Sequence, residues 1–253
     1  MVLLTEHLLS LDKDVYEKAT KHSFLEKMGT YTIEPKSLQQ WIYQDRYYTN
    51  GYTKMMGIMM SRVALFNESR ELGDNNPDYT ESHSQRIFKL LSFAVSNVFR
   101  ECQFFTELLS RSPYTSFDKV DMKQWTRRYT DFQQKVASTS GYDLGEALVL
   151  LWAMEKVFLD AWTFAKSIIQ QQKENGKENT TTIDPIHVAT IQELVNNWTL
   201  DEFKEFVDEC ANLVNALNIS DPLRLKSFEK VYRETLQLEV KFWDMAFTEV
   251  NDY

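Results

Sequence analysis

The chain has 253 residues, of which 43% are hydrophobic and 13% aromatic, with 7 glycines, 5 prolines and a formal net charge of −9. That composition excludes a disordered chain and a turn-rich all-β architecture. The negative balance argues against a general nucleic-acid binder, which needs clustered Lys and Arg.

In chain order, the N-terminal MVLLTEHLLSLDKD lacks a basic leader region, and Thr5, Glu6 and His7 break its apolar run, so no secretory signal is expected. No stretch approaches the roughly 18 apolar residues of a membrane span. A helix is predicted over about Ser37 to Phe66, followed by a loop from about Asn67 to Ser82 that carries Gly73, Asp74, Asn75, Asn76 and Pro77. Residues Ile87 to Leu109 hold Leu90, Leu91, Ala94, Val98, Cys102, Phe105 and Leu109 at helical spacing. Further helices fit Lys119 to Ala137 and Leu144 to Gln170. The polar run from about Gln171 to Pro185 reads as a connection inside one domain spanning 1–253, because the motifs described below lie on both sides of it. Thr199 and Glu202 form a capping-box pattern, and Asp221-Pro222 a cap and first turn before a final helix. The expected class is therefore all-α.

The two cysteines, Cys102 and Cys210, both fall in apolar helical patterns. They read as reduced core thiols of a cytoplasmic protein, with neither a disulfide framework nor a zinc site. The Asn-x-Ser/Thr matches at Asn67, Asn179, Asn197 and Asn218 are then chance matches, and the methionines of Met55-Met56 and Met59-Met60 read as core.

Three acids carry the functional signal. Asp45 shares a helix face with Trp41, Tyr48 and Tyr52; Glu155 with Leu151, Trp152, Phe158, Leu159 and Trp162; Glu239 with Tyr232, Leu236, Phe242, Trp243 and Ala246. A single such acid can be satisfied by a core Tyr or Arg, or can sit in water at the edge of its stripe. Three, on three helices, suggest a pocket. Burying an unpaired carboxylate costs more than burying a neutral polar group, so it is protonated or partnered instead. Carboxylates among aromatic walls suit a flat, nitrogen-rich ligand, whose ring NH and amino groups donate while the rings stack.

The stretch HSFLEKMGTYTIEPKSLQQWIYQDRYYTNGY (His22 to Tyr52) resembles the opening motif of the TenA/thiaminase family: His-x-Phe-Leu, a Gly turn, then a helix ending Gln-Asp-x-x-Tyr-x-x-x-Tyr. LQLEVKFWDMAF (Leu236 to Phe247) resembles the closing motif Glu-x-x-Phe-Trp-x-x-Ala, and Glu193 to Val214 the penultimate helical pair. The resemblance implies a single helical bundle shared with heme oxygenase and PqqC-like proteins, and an enzyme that hydrolyses pyrimidines derived from thiamin. It further implies that Asp45 holds the pyrimidine amino group and adjacent ring nitrogen, and that Tyr48 and Tyr52 line the pocket. Tyr129 and Trp198 would be further pocket aromatics, with Glu239 near the other ring nitrogen.

Many members carry a catalytic cysteine in a Leu-Pro-Cys helix; here EALVLLWAMEKVF has none, and Glu155 falls at or near that place. The chain is similar to the cysteine-lacking branch, in which a glutamate stands in. That points to hydrolysis of an aminomethyl- or formylaminomethyl-pyrimidine, with Glu155 as general base or proton donor and Glu239 and Asp45 polarising the ring. No cofactor and no metal are expected, nor any nucleic-acid or membrane partner; the family forms homo-oligomers. Two other readings remain open: a metal- or heme-dependent oxidase on the same fold, for which His22 is the candidate ligand, and a non-catalytic pyrimidine-binding protein.

Overall fold

A computed structural model describes residues 2–63, 81–138, 141–176 and 182–248. Among them ten α-helices occur and no strand: α1 (Leu4–Leu9), α2 (Lys13–Thr20), α3 (Ser23–Gly29), α4 (Pro35–Ser61), α5 (Glu81–Leu109), α6 (Gln124–Ala137), α7 (Leu144–Glu174), α8 (Pro185–Asn197), α9 (Asp201–Asn215) and α10 (Pro222–Asp244).

The longest helix, α7, is the axis of the bundle. It lies against α2, α3, α6, α8, α9 and α10, while α4 packs on α5 and α6. Its unbroken buried run from Leu144 to Met154 explains why its apolar pattern encircles the helix. Asp143 starts it with a capping box: the Asp143 side chain accepts from Gly145 N, and Glu146 Oε2 accepts from Asp143 N at 3.0 Å. Gly29 permits close approach of α3, since a Cβ there would lie 2.7 Å from Ile168 Cβ.

Helix α4 carries Asp45, Tyr48 and Tyr52, and buried amides fix its position. Gln39 Nε2 donates to Tyr114 O at 3.1 Å, and Gln44 both donates to Asp121 O at 2.9 Å and accepts from Lys123 N at 2.8 Å. These bonds satisfy polar groups that burial alone would penalise. Below them the core is aromatic: Trp41 stacks on Trp243 at 5.8 Å and meets Trp162 edge-on at 5.5 Å, and Trp162 stacks on Trp198 at 4.8 Å. Trp243 Nε1 donates to Ala19 O at 2.8 Å, which ties α10 to α2. Met55, Met56 and Met59 are fully buried, as core residues should be.

Several expectations are corrected. The α6 helix begins at Gln124 and not at Lys119, because the preceding segment extends across the Gln39 and Gln44 amides. The Thr199–Glu202 capping box does not form: Leu200 is the N-cap of α9, and the buried Thr199 hydroxyl turns back to Val195 O at 2.8 Å and accepts from Lys166 Nζ at 3.0 Å. The polar connection is shorter than its composition suggests, since α7 runs to Glu174 and Asp184 caps α8. Residues 177–181, most of the Asn67–Ser82 loop, and Asn67 and Asn179 lie outside the described residues. Asp221 does cap α10, accepting from Leu223 N at 2.9 Å with Pro222 in the first turn. Cys210 is buried, whereas Cys102 is half-buried beside Thr49 Oγ1 at 3.2 Å; both are unpaired thiols.

Candidate active site

The sequence spacing on α4 turns Asp45, Tyr48, Thr49 and Tyr52 to one side, and there they form a wall of a cavity of about 40 Å3. Opposite them stand Met154, Glu155 and Phe158 from α7, Glu101 and Val98 from α5, and Trp198 at the end of α8. That space holds roughly three ordered waters. It adjoins a second cavity of about 210 Å3, and the two share Asn97, Glu101, Trp198 and Phe203.

Each acid has a distinct environment. Asp45 is 3% exposed and its Oδ2 is buried without a hydrogen-bond partner. Burial above all, then Glu101, Glu239 and Glu155, pushes its pKa well above the usual carboxylate range. Glu155 Oε1 accepts from Tyr52 Oη at 2.6 Å. Burial raises Glu155 to about 8, with the Tyr52 bond opposing and Glu101 and Glu239 adding to the rise. Glu239 is 2% exposed, accepts from Tyr129 Oη, and is likewise raised by burial to about 8 against the pull of that bond. The Tyr48, Tyr52 and Tyr129 hydroxyls are held protonated, first by burial and then by the neighbouring acids.

The fourth acid was missed in the sequence. Glu101 Oε1 accepts from Trp198 Nε1 at 3.0 Å, and burial raises the carboxyl to about 7 while that bond and Arg100 pull it down. The signal was available: Glu101 shares a face with Ala94, Val98, Phe105 and Leu108, all buried. Its neighbours Asn97 and Arg100 are polar, so the stripe around it is less apolar than those around the other three acids.

Of the expected residues, Asp45, Tyr48, Tyr52, Glu155 and Trp198 line the cavity together. Glu239 and Tyr129 stand outside that wall, against Tyr48: the Tyr129 and Tyr48 rings meet edge-on at 5.2 Å. Tyr129 and Tyr48 therefore stand between Glu239 and the cavity. Trp152, expected beside Glu155, instead stacks on Tyr232 at 6.0 Å, and Phe158 alone of that pair faces the cavity. Tyr48 Oη donates to Met154 Sδ at 3.2 Å, a weak acceptor that a polar ligand atom can replace.

The histidines are engaged elsewhere. His22 Nδ1 accepts from Phe24 N and its Nε2 faces Asp244 Oδ1, both at 3.2 Å, so the candidate heme ligand is a helix cap. His187 bridges Tyr114 Oη and Ile33 O at 2.8 Å each. Among the described residues no group of three or more His, Cys, Asp or Glu is arranged to hold a metal. No described helix is long and apolar enough to cross a membrane.

Within the all-helical bundle three carboxyls line a small aromatic-walled cavity and a fourth stands behind Tyr48, the arrangement of a small-molecule pocket between helices. Residues 11–95 match the model of the TENA/THI-4/PQQC family, and the chain takes the TenA fold over nearly its whole length. A TenA homologue from Pyrococcus furiosus superposes with a TM-score of 0.75 at 17% identity, over 97% of this chain and 100% of that one. A protein from Silicibacter sp. TM1040 described as a TenA family transcription regulator gives 0.71 at 15% identity, over 97% of each chain. Heme oxygenase-1 from the cyanobacterium Synechocystis gives 0.54 at 16% identity, over 96% of this chain and 91% of that one, so the expected heme oxygenase-like architecture is present. A relative from Fusarium pseudograminearum, named a probable transcription factor, is 24% identical over 235 residues, which are 85% of this chain. The match spans 45% of that relative's length.

Proposed function

We propose that the chain hydrolyses an aminomethyl- or formylaminomethyl-pyrimidine derived from thiamin to the hydroxymethyl-pyrimidine, as a salvage enzyme of the cytoplasm that assembles as a homo-oligomer and needs no cofactor. The observation that carries this reading is the orphaned Asp45 Oδ2, buried in an aromatic cavity that two further acids, Glu101 and Glu155, also line. A native protein rarely leaves such an acceptor unmet, and an exocyclic amino group beside a ring nitrogen would satisfy it.

In this reading Asp45 anchors the ring, Tyr48, Tyr52, Phe158 and Trp198 enclose it, and Glu239 steadies Tyr129 and Tyr48 behind it. Glu155, raised to about 8, keeps its proton at neutral pH. It therefore acts as the donor that protonates the leaving nitrogen. A six-membered ring needs more room than three waters. The unbranched Met154 side chain is the part of the wall best able to yield.

The regulatory names of two similar proteins belong to those proteins. A charge of −9 and four clustered acids favour a donor-rich small molecule over a phosphate backbone. The test is turnover of aminomethyl-pyrimidine, its formylated form and thiamin by the purified chain, with product and released amine both quantified. Release of hydroxymethyl-pyrimidine from either of the first two supports the reading. Tight binding without turnover, or no binding, overturns it.

A further inference from the structure

Glu101 faces both cavities, at the neck where they meet. On the outer side the rim is formed by Arg100 and Glu202, whose side chains are 57% and 55% exposed and lie 3.5 Å apart, so this cavity opens toward water. The other acids are shut off from that route: Glu155 and Glu239 each take a tyrosine hydroxyl, and Asp45 is sealed in the inner wall. Glu101 is held only by N–H donors, Trp198 Nε1 and the Asn197 side chain, which favour its ionised form and leave it able to accept.

Resting on the hydrolysis proposed above, we propose that Glu101 is the general base that activates the attacking water, and that the outer cavity is the channel through which the water arrives and its proton leaves. The Glu101 carboxylate takes one proton from water as the water oxygen bonds to the methylene carbon. The carbon–nitrogen bond breaks with its electron pair on nitrogen, and that nitrogen takes the Glu155 proton. The products are the alcohol and ammonia, or formamide from the formylated substrate, with Glu101 protonated and Glu155 ionised. Solvent in the outer cavity then removes the Glu101 proton, and one proton returns to Glu155.

The charged groups around Glu101 are compatible with its ionised form. Asp45 from α4 and Glu155 from α7 are themselves held protonated by burial, Arg100 on α5 favours the carboxylate, and Glu202 from α9 is occupied by Arg100 at the rim. Burial raises both acids, while the Trp198 and Asn197 donors and Arg100 favour the ionised form of Glu101.

The experiment is the pH profile of kcat/KM for aminomethyl-pyrimidine with the full chain and its Glu101→Gln, Glu101→Asp and Trp198→Phe variants, with pyrimidine affinity measured on each by calorimetry. Glu101→Gln is expected to lower kcat about 10²–10⁴-fold and to abolish the limb that falls toward acid, while Kd changes less than about threefold. Glu101→Asp restores part of the rate. Trp198→Phe moves the acid limb to higher pH, because the carboxylate loses the indole donor; this variant decides the matter if Glu101→Gln fails to fold. Turnover by the unaltered chain with an unmoved acid limb in these variants overturns this inference alone. Absence of turnover by the unaltered chain overturns the proposed hydrolysis and this step with it.

Discussion

Tyr129 on α6 donates its hydroxyl to Glu239 Oε1 on α10 at 2.5 Å, joining two buried groups 110 positions apart in the chain. The bond is the chief influence holding Glu239 toward ionisation against its burial. Tyr129→Phe is therefore expected to destabilise the fold by about 1–3 kcal/mol, because a buried acceptor is left unmet. Equilibrium denaturation by urea checks this; a change below about 0.5 kcal/mol would remove the pair from any structural role.

The raised acids make stability depend on pH in a defined direction. Glu239 moves from an ordinary 4.5 to about 8 in the folded chain. Between those values the folded protein keeps the proton and the unfolded chain has lost it. The associated stability is thus complete below about pH 4.5, declines as pH rises through the window, and is gone above about 8. One such group contributes a slope of about 1.4 kcal/mol per pH unit. Denaturation midpoints from pH 5 to 8.5 should fall with pH, and Glu239→Gln should flatten that fall. An identical slope in the variant contradicts the assignment.

Asp45 is a buried acid whose charge the core disfavours. Its Oδ2 has no partner, and Glu101, Glu239 and Glu155 all disfavour its charge. Asp45→Asn should weaken amino-pyrimidine binding about 10–100-fold while the thermal midpoint holds or rises. A joint loss of binding and stability would mean that Asp45 serves the fold.

Gly51 sets the distance between α4 and α6. A Cβ there would lie 2.6 Å from Thr130 Cβ and nearer still to its methyl group. Gly51→Ala should push apart the helices that carry Asp45 and Tyr129, at about 1–3 kcal/mol, and should weaken ligand binding as well. Stability and calorimetry on the same variant test both effects.

Glu155→Gln should retain pyrimidine binding and reduce turnover about 10²–10⁴-fold, because the proton donor is gone. Turnover near that of the unaltered chain would exclude Glu155 from the chemistry.

Periodicity made the helices legible: the apolar stripes that predict helices ending at Leu109 and Ala137 end there in the structure. It also marked Asp45, Glu155 and Glu239, because an acid inside an aromatic stripe is conspicuous on its own helix. Glu101 escaped because polar neighbours on its helix gave it a plausible wet surface. The Tyr52–Glu155 bond, across 103 positions, and the stacking that carried Trp152 away from the cavity depend on how helices rotate against one another. That rotation is decided by packing around α7, which no single helix encodes. The Thr199 cap failed for a similar reason: tertiary contact with Lys166 outcompeted a local motif.

The clustering of carboxyls has a consequence for calorimetry. At neutral pH Asp45 keeps a proton that a ring bearing N–H donors needs removed. Capture of such a ring at that carboxylate should therefore expel a hydrogen ion into the medium. The apparent heat of association should then vary with the ionisation enthalpy of the buffer chosen, and affinity should climb as the solution becomes more alkaline.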